Sequence, residues 1–570
     1  MVNSRLSIPD GGGPARPGGA ARRRLGSDLT IPGIRASKDG SPGSNDGQFP
    51  SAPQFSTPVN RVMRTLLIGI DSGTQSTKAL VVNANNGKVV AGASVSYGLI
   101  PNLPAGAMEQ HPRTWRAAAA KAVRLALKSA GATAAEVKAI GVSGQQHGFV
   151  PLDRKDRVIR PAKLWCDTTT AAECEEIMTR LGGLKAAIRV TGNAVLPGFT
   201  APKILWLKKH EPANFRKLAT ILLPHDYLNF WLTGKMAMEY GDASGTALLD
   251  VKTRRWSDEA LRAIDAGLRE KLPPLVSSDL PSGCLQRSTA KELGLNTEVL
   301  VSAGGGDNMM GAIGTGNTRQ GMITASFGTS GTIYACSEKP VIDPEGEIEA
   351  CCDSTNRWLP LLCTMNVTVA TEMVRRDFAM DFKTFDRAVA KTGPGAEGLL
   401  LLPYLGGERT PNVPEGTGVF FGVTPKTFTA AHFARATMEG VTLGMNYGLR
   451  RMVALGVKTR QIRVTGGGSK SGVWRQIMAD IFDAEVISLK VSEGAAYGAA
   501  LQALWCWRLQ QGEKISINDI TGAFVRINHA ESARPNPKTT ALYRELQVLQ
   551  DGISSDLRDS FRRHHKLVSG

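Results

Sequence analysis

The sequence predicts an α/β fold built from two related halves that face one cleft. The chain has 570 residues, of which 42% are hydrophobic and 21% charged, a balance typical of a large globular protein with more than one domain. From Thr65 onward, short apolar runs alternate with stretches of helical periodicity, as in α/β proteins. The small and hydroxyl residues of the turn Asp71–Thr74 recur in Phe327–Gly331, and this repetition predicts the two halves.

Residues 1–63 are predicted to form a disordered tail. Gly, Pro and Ser dominate residues 1–60, where Phe49 and Phe55 are the only aromatic residues, so burial of apolar surface cannot offset the chain entropy. The segment lacks the apolar region of a secretory signal, and four Asp residues argue against an organellar transit peptide despite its Arg and Ser content. Another interpretation is that Met63, just before the first strand, is the natural start of the protein.

The first half is predicted to begin with a strand and a hairpin. In chain order we expect a buried strand from Leu66 to Asp71, a strand from Ala79 to Val82, a hairpin turn at Asn85–Lys88, a strand from Val89 to Ala91, a helix from Trp115 to Ala130 and a buried strand from Val137 to Val142. Strands joined by a hairpin and followed by helix–strand units are typical of an α/β architecture.

A second set of strands begins near Met322. Residues 323–332 place small and hydroxyl side chains in a tight turn between two strands, and a later strand, Ile462–Thr465, leads into Gly466–Ser469. The boundary between the halves is expected near residues 310–320. We therefore predict a first domain at 64–315, a second domain at 316–545 and a C-terminal tail at 546–570.

The charge of the chain is strongly positive but spread out. The formal net charge is +17, with a sequence pI near 9.6. Residues 1–63 carry eight basic and four acidic residues, a net +4, and the other +13 is distributed over the remaining 507 residues without a basic run interleaved with aromatics. This distribution argues against nucleic-acid binding and favours attraction of anionic substrates such as nucleotide phosphates.

Cysteine usage and hydropathy indicate a reduced, cytoplasmic protein. The eight Cys residues form no CxxC pair, and apart from adjacent Cys351 and Cys352 they lie far apart, which excludes a disulfide scaffold or a zinc site as the basis of the fold. No apolar run reaches 18 residues, so the sequence predicts no membrane span.

Two turns are candidate phosphate sites. Asp71, at the end of the first strand and before Gly73, offers a Mg²⁺ ligand beside backbone N–H groups, and Lys78 adds a positive charge nearby. The turn Ser326–Thr332 combines small residues, which allow close approach of an anion, with hydroxyl donors. Either turn alone is compatible with an ordinary tight turn, with Asp71 as a cap. Two such turns after apolar strands favour one phosphate site that is formed by both turns.

A Gly-rich loop precedes the helix expected near Trp474. Residues 465–471 open this helix, an arrangement that suits close approach to a nucleotide, although a glycine loop without a ligand explains the pattern equally well. The chain contains neither G-x-x-x-x-G-K-[ST] nor G-x-G-x-x-G, so neither a P-loop NTPase nor a dinucleotide-binding fold is supported.

Two segments with polar side chains beside glycines are candidates for binding a hydroxylated substrate or reacting with it. Asp307 follows Gly304–Gly306 with no basic residue nearby in sequence, which suits a general base, although it equally suits a cap for a helix beginning near Met309. Gln146 and His147 follow a buried strand, where amide and imidazole groups bind polyol hydroxyls, but a lone His is also frequently a structural partner.

The chain resembles the FGGY carbohydrate kinases from about Thr65 to about Thr540. Two long stretches match the signatures of that family, Gly198–His210 and Gly418–Glu439. Within the family, the segments 144–148, 197–202, 223–228 and 402–411 are most similar to bacterial xylulokinases. The resemblance implies a two-domain hexokinase/actin-like ATPase fold, which is ribonuclease H-like, with a central cleft. The first domain would then bind sugar and the second ATP.

The resemblance also implies a role for each candidate residue. Asp307 would be the catalytic base, and Asp71 would hold Mg²⁺ through water. The residues implied to bind ATP are Thr74, Lys78, Gly328, Thr329, Gly466, Gly467 and Gly468, and those implied to bind the sugar are Gln146, His147, Asn308, Trp165 and Asp167. Gln146 departs from the pattern, because many xylulokinases have Met there, and it adds hydrogen-bonding capacity.

The sequence is therefore interpreted as an ATP-dependent sugar kinase that forms D-xylulose 5-phosphate from D-xylulose. Its expected partners are a small sugar, ATP and Mg²⁺, without nucleic acid or membrane, and a homodimer is left open. The alternatives are a kinase for another ketose or a polyol, such as ribulose, and a catalytically silent sugar-binding regulator. Retention of Asp71, Asp307 and both phosphate turns argues against a silent regulator, because a pure binder needs no base.

Overall fold

The computed structural model describes residues 64–569, and two seven-stranded sheets form their framework. The first sheet contains β1 (Leu66–Ser72), β2 (Ser76–Asn83), β3 (Val89–Ser96), β4 (Val137–Gly144), β5 (Pro281–Cys284), β6 (Leu300–Ser302) and β7 (Gly305–Gly306). The second contains β8 (Gly321–Phe327), β9 (Gly331–Ala335), β10 (Glu349–Cys352), β11 (Trp358–Thr364), β12 (Thr459–Thr465), β13 (Glu485–Leu489) and β14 (Ile527–Ala533). The predicted disordered tail, residues 1–63, lies outside the described residues.

The two sheets share a topology at their centres. In the first, the strand order is β5-β6-β4-β1-β2-β3, with β7 also paired to β4; in the second it is β10-β11-β9-β8-β12-β13-β14. The hairpin β1–β2 is antiparallel and β1 runs parallel to β4, and likewise the hairpin β8–β9 is antiparallel and β8 runs parallel to β12. The predicted α/β fold with two related halves is confirmed.

Eighteen helices lie within residues 64–569. Those up to residue 315 are α1 (Pro112–Ala130), α2 (Ala171–Leu181), α3 (Leu184–Thr191), α4 (Thr200–His210), α5 (Pro212–Phe215), α6 (Pro224–Thr233), α7 (Tyr240–Ser244), α8 (Asp258–Arg262), α9 (Arg287–Leu293) and α10 (Asp307–Thr315). The others are α11 (Thr368–Asp377), α12 (Phe382–Lys391), α13 (Ala430–Ala454), α14 (Gly472–Phe482), α15 (Gly494–Gln510), α16 (Ile517–Phe524), α17 (Pro537–Asp556) and α18 (Arg558–Ser569). None of them combines the length and apolar composition needed to cross a membrane.

Short strand pairs and 3₁₀ turns complete these elements. The paired segments are Glu109–Gln110 with Ala162–Lys163, Val150–Leu152 with Thr220–Leu222, Met238–Glu239 with Leu275–Val276, Leu249–Asp250 with Arg255–Trp256, and Leu400–Pro403 with Gly418–Phe421. The 3₁₀ turns are Ala134–Glu136, Leu268–Lys271, Ala396–Gly398 and Gly468–Lys470.

Local sequence explains where α1 begins and ends. Pro112 occupies its first turn, where the missing N–H costs no hydrogen bond, and Gly131 closes it in the left-handed conformation with φ 55°. Trp115 and a series of alanines form the buried face of this helix. The helix therefore starts three residues before the expected Trp115, because the proline start signal precedes the apolar periodicity.

Residues 546–556 and 558–569 are helical. Helix α17 runs through residue 546, and its side chains Tyr543, Gln547, Gln550 and Ser554 are buried. The Nε2 atom of Gln550 donates hydrogen bonds to the carbonyl oxygens of Leu401 and Gly440 at 2.8 and 3.0 Å. Residues 546–556 therefore continue a packed helix, although the sequence predicted a tail.

Helix α15 packs against the first sheet, although it follows the second sheet's strands in the chain. A Cβ atom on Gly69 of β1 would lie 1.9 Å from the carbonyl oxygen of Ala496, and one on Gly141 of β4 would lie 2.0 Å from that of Ala499. Similarly, a Cβ atom on Gly498 would lie 1.8 Å from the carbonyl oxygen of Met310 in α10. Glycine at these positions lets α15 lie directly on the sheet and on α10.

Substituting Gly498 with Ala is expected to destabilise the protein by about 1–3 kcal/mol, because the added methyl group forces α10 and α15 apart. The free energy of unfolding from urea denaturation measures this loss. Gly552 in α17 is the matched control, since a Cβ atom there meets no atom within 4 Å, and its substitution with Ala is expected to be neutral or slightly stabilising. Equal effects of the two substitutions would show that the helix contact is not tight.

Candidate active site

A cleft of about 580 Å³ lies between elements of the two sheets. The turn after β1, the turn after β8 and the residues that follow β4 all line it. Its lining residues are Asp71, Gly73, Thr74, Gln75, Ser76, Lys78, Gln146, His147, Trp165, Asp307, Asn308, Ser326, Gly328, Thr329, Ser330, Thr332, Glu349, Leu361, Cys363, Met365 and Arg409. The structure thus brings both predicted turns and most of the predicted sugar residues to one cavity.

Asp307 is the first residue of α10 and faces this cleft. Burial raises the pKa of its carboxyl group to about 7, and the negative charges of Asp71 and Asp242 add to the rise. The Oδ1 atom of Asp307 accepts a hydrogen bond from the backbone N–H of Asn308 at 3.0 Å. A carboxyl group with a pKa near neutrality is suited to accept and release a proton at physiological pH.

Asp71 ends β1 on the same cleft. The hydroxyl group of Ser143 donates a hydrogen bond to Oδ1 of Asp71 at 2.9 Å, whereas Oδ2 has no hydrogen-bond partner among the described residues. Burial raises the pKa of Asp71, against the lowering effects of Ser143 and Lys78. Two neighbouring carboxyl groups with raised pKa values are suited to a divalent cation, whose charge would favour their ionised forms.

The residues present fit a Mg²⁺ ion that is bound mainly by substrate phosphates and waters. Among residues 64–569 no group of three or more His, Cys, Asp or Glu side chains is placed to enclose a metal ion. Mg²⁺ characteristically uses only one or two carboxylates together with waters and substrate phosphates. Asp71, with its free Oδ2 atom, satisfies that requirement.

The turn after β1 is held by side chains of Gln145 and Trp165. The hydroxyl group of Thr74 donates a hydrogen bond to Oε1 of Gln145 and accepts one from Nε1 of Trp165, both at 3.0 Å. Lys78 does not point freely into the cleft, because its Nζ atom pairs with Oε2 of Glu493 at 2.5 Å. Thr74 and Lys78 therefore lie where predicted, at the cleft, each with a protein partner.

The predicted glycines of the nucleotide loop divide between two neighbouring cavities. Gly466 lines a cavity with Asp71 and Asp307. Gly467 and Gly468 line a second, more apolar cavity of about 450 Å³. The other residues lining this second cavity are Thr368, Thr371, Glu372, Arg375, Phe382, Phe385, Asp386, Met438, Lys470, Ser471 and Trp474. Its apolar walls suit a flat heterocycle rather than a phosphate.

Gln146, His147 and Asn308 line the same cleft, and the part around these predicted sugar residues is called the sugar end below. The Nδ2 atom of Asn308 donates a hydrogen bond to Oε1 of Gln146 at 2.8 Å, and Oδ1 of Asn308 accepts one from the hydroxyl of Thr332 at 3.1 Å. This arrangement leaves Nε2 of Gln146 buried without a partner. Gln146 therefore keeps one buried donor that no described residue satisfies.

His147 is neutral and presents an acceptor. Burial lowers its pKa to about 3, and the positive charges of Lys203 and Arg409 lower it further. Its Nδ1 atom lies 2.6 Å from the carbonyl oxygen of Gly245, so Nδ1 carries the proton and Nε2 has a free lone pair. A free imidazole nitrogen can accept a hydrogen bond from a sugar hydroxyl.

Substituting His147 with Asn is expected to raise the KM for the sugar roughly 5- to 30-fold while leaving the KM for ATP unchanged, because one ground-state hydrogen bond is lost. Asn is chosen because His147 has φ 61°, a conformation that Asn tolerates better than Ala. Steady-state kinetics with each substrate varied measures the effect. His210→Ala is the control, since His210 is half-exposed and lies outside the cleft. A change confined to the KM for ATP would remove His147 from the sugar site.

Trp165 and Asp167 differ in their position relative to the cleft. Trp165 lines the cleft, although its indole N–H is taken by Thr74. Asp167 is fully buried and does not line the cleft. Its carboxylate accepts hydrogen bonds from the backbone of Met108 and from Lys163 Nζ, at 2.9 and 3.0 Å, and the structure therefore does not bring Asp167 to the sugar end.

Three residues near the site were not singled out from the sequence. Glu349, in β10, and Arg409 line the sugar end of the cleft. Asp242 is fully buried, and its Oδ2 atom lies 2.5 Å from Nδ1 of His225. Arg409 falls in the segment 402–411, whose similarity to kinases was visible, but Glu349 and Asp242 stand in no motif that signals a role.

Comparison with known proteins identifies the family. The model of the FGGY family of carbohydrate kinases, N-terminal domain, matches residues 66–314, and that of the C-terminal domain matches residues 323–507. A xylulose kinase from Haemophilus influenzae is 41% identical over 477 residues, which are 83% of this chain and 96% of the relative.

Solved structures agree with the sequence relatives. A "xyloylose kinase" from Brucella ovis superposes with a TM-score of 0.79 at 30% identity, over 87% of this chain and 99% of that one. A gluconate kinase from Lactobacillus acidophilus superposes with a TM-score of 0.81 at 26% identity, over 88% of this chain and 100% of that one. The predicted two-domain sugar-kinase fold is thus confirmed. The chain is an ATP-dependent carbohydrate kinase and belongs to the FGGY family.

Proposed function

We propose that this kinase transfers the γ-phosphoryl group of ATP to D-xylulose, giving D-xylulose 5-phosphate and ADP. The observation that carries the proposal is the position of Asp307, whose pKa is near 7, in a cleft that is lined both by the two turns and by the polar side chains of the sugar end. The choice of sugar is supported by the relative from Haemophilus influenzae, a xylulose kinase with which 83% of the chain aligns.

The proposed role of Asp307 is to take the proton of the attacking hydroxyl group. The sugar oxygen forms a bond to the γ-phosphorus, and the bond between that phosphorus and the bridging oxygen breaks. The electron pair leaves with ADP, and the proton moves to a carboxylate oxygen of Asp307. Its raised pKa makes this carboxylate a stronger base than an exposed Asp, and Asn308 orients it through the hydrogen bond to Oδ1.

The triphosphate is proposed to lie between the two turns, near Thr74 and Thr329, with the adenine ring in the apolar cavity beside Gly467. The glycines permit close approach, and Phe382 and Trp474 supply apolar surface. Asp71 would hold Mg²⁺. When bound, Mg²⁺ neutralises charge on the phosphates. Lys78, now paired with Glu493, lies close enough to line the same cleft.

The domain assignment follows from this arrangement. We assign residues 64–315 to sugar binding and residues 316–545 to ATP binding. Residues from each part also contribute to the other part's site. Glu349 and Arg409 from the second part line the sugar end. Asp71, from the first part, lines the cavity that contains Gly466.

A coupled assay of ADP release tests the proposed substrate. We expect kcat/KM to be at least about tenfold higher for D-xylulose than for D-ribulose, xylitol or D-gluconate, since tenfold corresponds to one well-placed hydrogen bond. D-gluconate is included because a gluconate kinase shares the fold. ATP without sugar is the control for hydrolysis. A higher kcat/KM for any other member of the panel would refute xylulose as the substrate.

A further inference from the structure

The sugar end of the cleft contains a guanidinium group without a hydrogen-bond acceptor. Arg409 lines the cleft with its side chain only 22% exposed, and none of its guanidinium N–H groups donates a hydrogen bond to a described residue. Its nearest carboxylate oxygen, Oε1 of Glu349, is 3.6 Å away, beyond hydrogen-bond distance. Its N–H groups therefore remain open to an acceptor that a ligand brings into the cleft.

A second, independent donor belongs to another residue that lines the same cavity. Gln146 is 4% exposed, and its Nε2 atom is buried without a partner because its Oε1 atom is taken by Asn308. Gln146 and Arg409 come from opposite parts of the chain, yet both line the cleft that contains Asp307. Two unpaired donors in one polar cavity indicate a ligand that carries acceptor oxygens.

The protein holds Arg409 in place through its neighbours. The carboxylate of Glu408 accepts hydrogen bonds from the backbone N–H groups of Arg409 and Met365, at 2.8 and 2.7 Å. Gly198 lies so near that a Cβ atom there would be 3.2 Å from a guanidinium nitrogen of Arg409. The backbone at Arg409 is therefore held by Glu408, and the guanidinium lies against Gly198.

The chemistry of the Arg409 guanidinium favours one kind of substrate oxygen over another. A guanidinium only donates hydrogen bonds, so it is matched by an oxygen that only accepts, such as a ketone, better than by a hydroxyl whose own proton needs an acceptor. Glu349 already balances the charge of Arg409, so a second carboxylate is not required. Hydroxyl protons instead find acceptors at Glu349 and at Nε2 of His147, which are 3.9 Å apart.

We propose that Arg409 determines substrate specificity by donating a hydrogen bond to the ketone oxygen of a 2-ketose. The cleft then prefers a 2-ketose to the alditol of the same chain, in which a CHOH group replaces the ketone. This inference rests on the proposed function as a ketose kinase. It assigns to Arg409 the recognition of the ketone, a part of the substrate that is not phosphorylated.

Calorimetry with D-xylulose and xylitol tests the proposal, because these ligands differ only at C2. For Arg409→Met we expect the Kd for D-xylulose to rise roughly 10- to 100-fold, the scale of a charge-assisted hydrogen bond, and the Kd for xylitol to change less than about threefold. The KM for D-xylulose should rise in parallel. Arg409→Lys, which keeps the charge but loses the planar fork, should give an intermediate loss.

Because Arg409→Met leaves the buried carboxylate of Glu349 unpaired, the double variant Arg409→Met/Glu349→Gln is measured beside it, with the melting temperature of each. We expect the double variant to keep the melting temperature and still lack the ketose preference. Equal weakening of both ligands, or no weakening of D-xylulose, in folded Arg409→Met overturns the proposal, and so does a retained preference for D-xylulose over xylitol in the double variant. Failure of the unchanged enzyme to phosphorylate D-xylulose overturns the proposed function, and this inference with it.

Discussion

Replacing Asp307 with Asn is expected to lower kcat by roughly 10²–10⁴, while the affinities for sugar and ATP stay nearly unchanged. Asn keeps the size and the hydrogen-bonding capacity of Asp307 but cannot take a proton at neutral pH. Because phosphoryl transfer passes through a loose transition state that needs the base late, a loss at the lower end is also consistent with this role. Turnover at saturating sugar and ATP measures the effect.

A surface substitution provides the control for Asp307→Asn. Asp556 is exposed on α17, so Asp556→Asn should leave kcat unchanged. The pH dependence is a second readout. The raised pKa means that Asp307 becomes protonated, and so inactive as a base, as the pH falls through about 7, and kcat/KM of the free enzyme should fall with it. An Asp307→Asn enzyme with near-normal kcat would place the base elsewhere.

The same substitution should stabilise the protein in alkaline solution. A carboxyl group whose pKa is raised on folding contributes stability below its unfolded pKa, near 4, and loses that contribution as the pH rises through about 7. Asp307→Asn removes the unfavourable charge. The melting temperature of the variant should therefore exceed that of the unchanged protein above pH 7, and the difference should vanish below about pH 4 when Mg²⁺ and ATP are absent.

Replacing Asp71 with Asn is expected to raise the Mg²⁺ concentration for half-maximal activity by about 10- to 100-fold, the usual cost of losing a carboxylate that supports a metal ion. The measurement is a Mg²⁺ titration at saturating sugar and ATP. Asp307→Asn is the matched comparison, since it lowers kcat without this displacement. Rescue of Asp307→Asn by extra Mg²⁺, or an unchanged titration for Asp71→Asn, would exchange the roles of the two carboxylates.

The parts of the site that sequence could predict are those encoded by short segments. Asp71 and Thr74 follow an apolar strand directly, and the strand–turn–strand pattern recurs at Gly328 and Thr329. Because a strand end and its turn stay together in any fold, the pattern was enough to predict that these residues share the cleft. Their chemical roles remain proposals that the substitutions above test.

Other features depend on contacts that no local pattern encodes. Arg409 and Glu349 are 60 residues apart in sequence and meet only after folding. The resemblance implied that Asp167 binds the sugar together with Trp165, but the carboxylate of Asp167 pairs with Lys163 in the interior. The packing of α15 on the first sheet depends on glycines such as Gly69, whose close approach to another backbone is invisible until the partner is known.

Phosphorus NMR of the purified protein with D-xylulose, ATP and Mg²⁺ tests the central claim most directly, because it identifies the acceptor of the phosphoryl group as well as ADP. We expect a phosphomonoester signal that grows in equal amount with ADP, without inorganic phosphate, and that grows at least about 100-fold more slowly with Asp307→Asn. ADP accompanied by inorganic phosphate and no phosphomonoester, or an undiminished phosphomonoester signal with Asp307→Asn, would contradict a sugar kinase that uses Asp307 as its base.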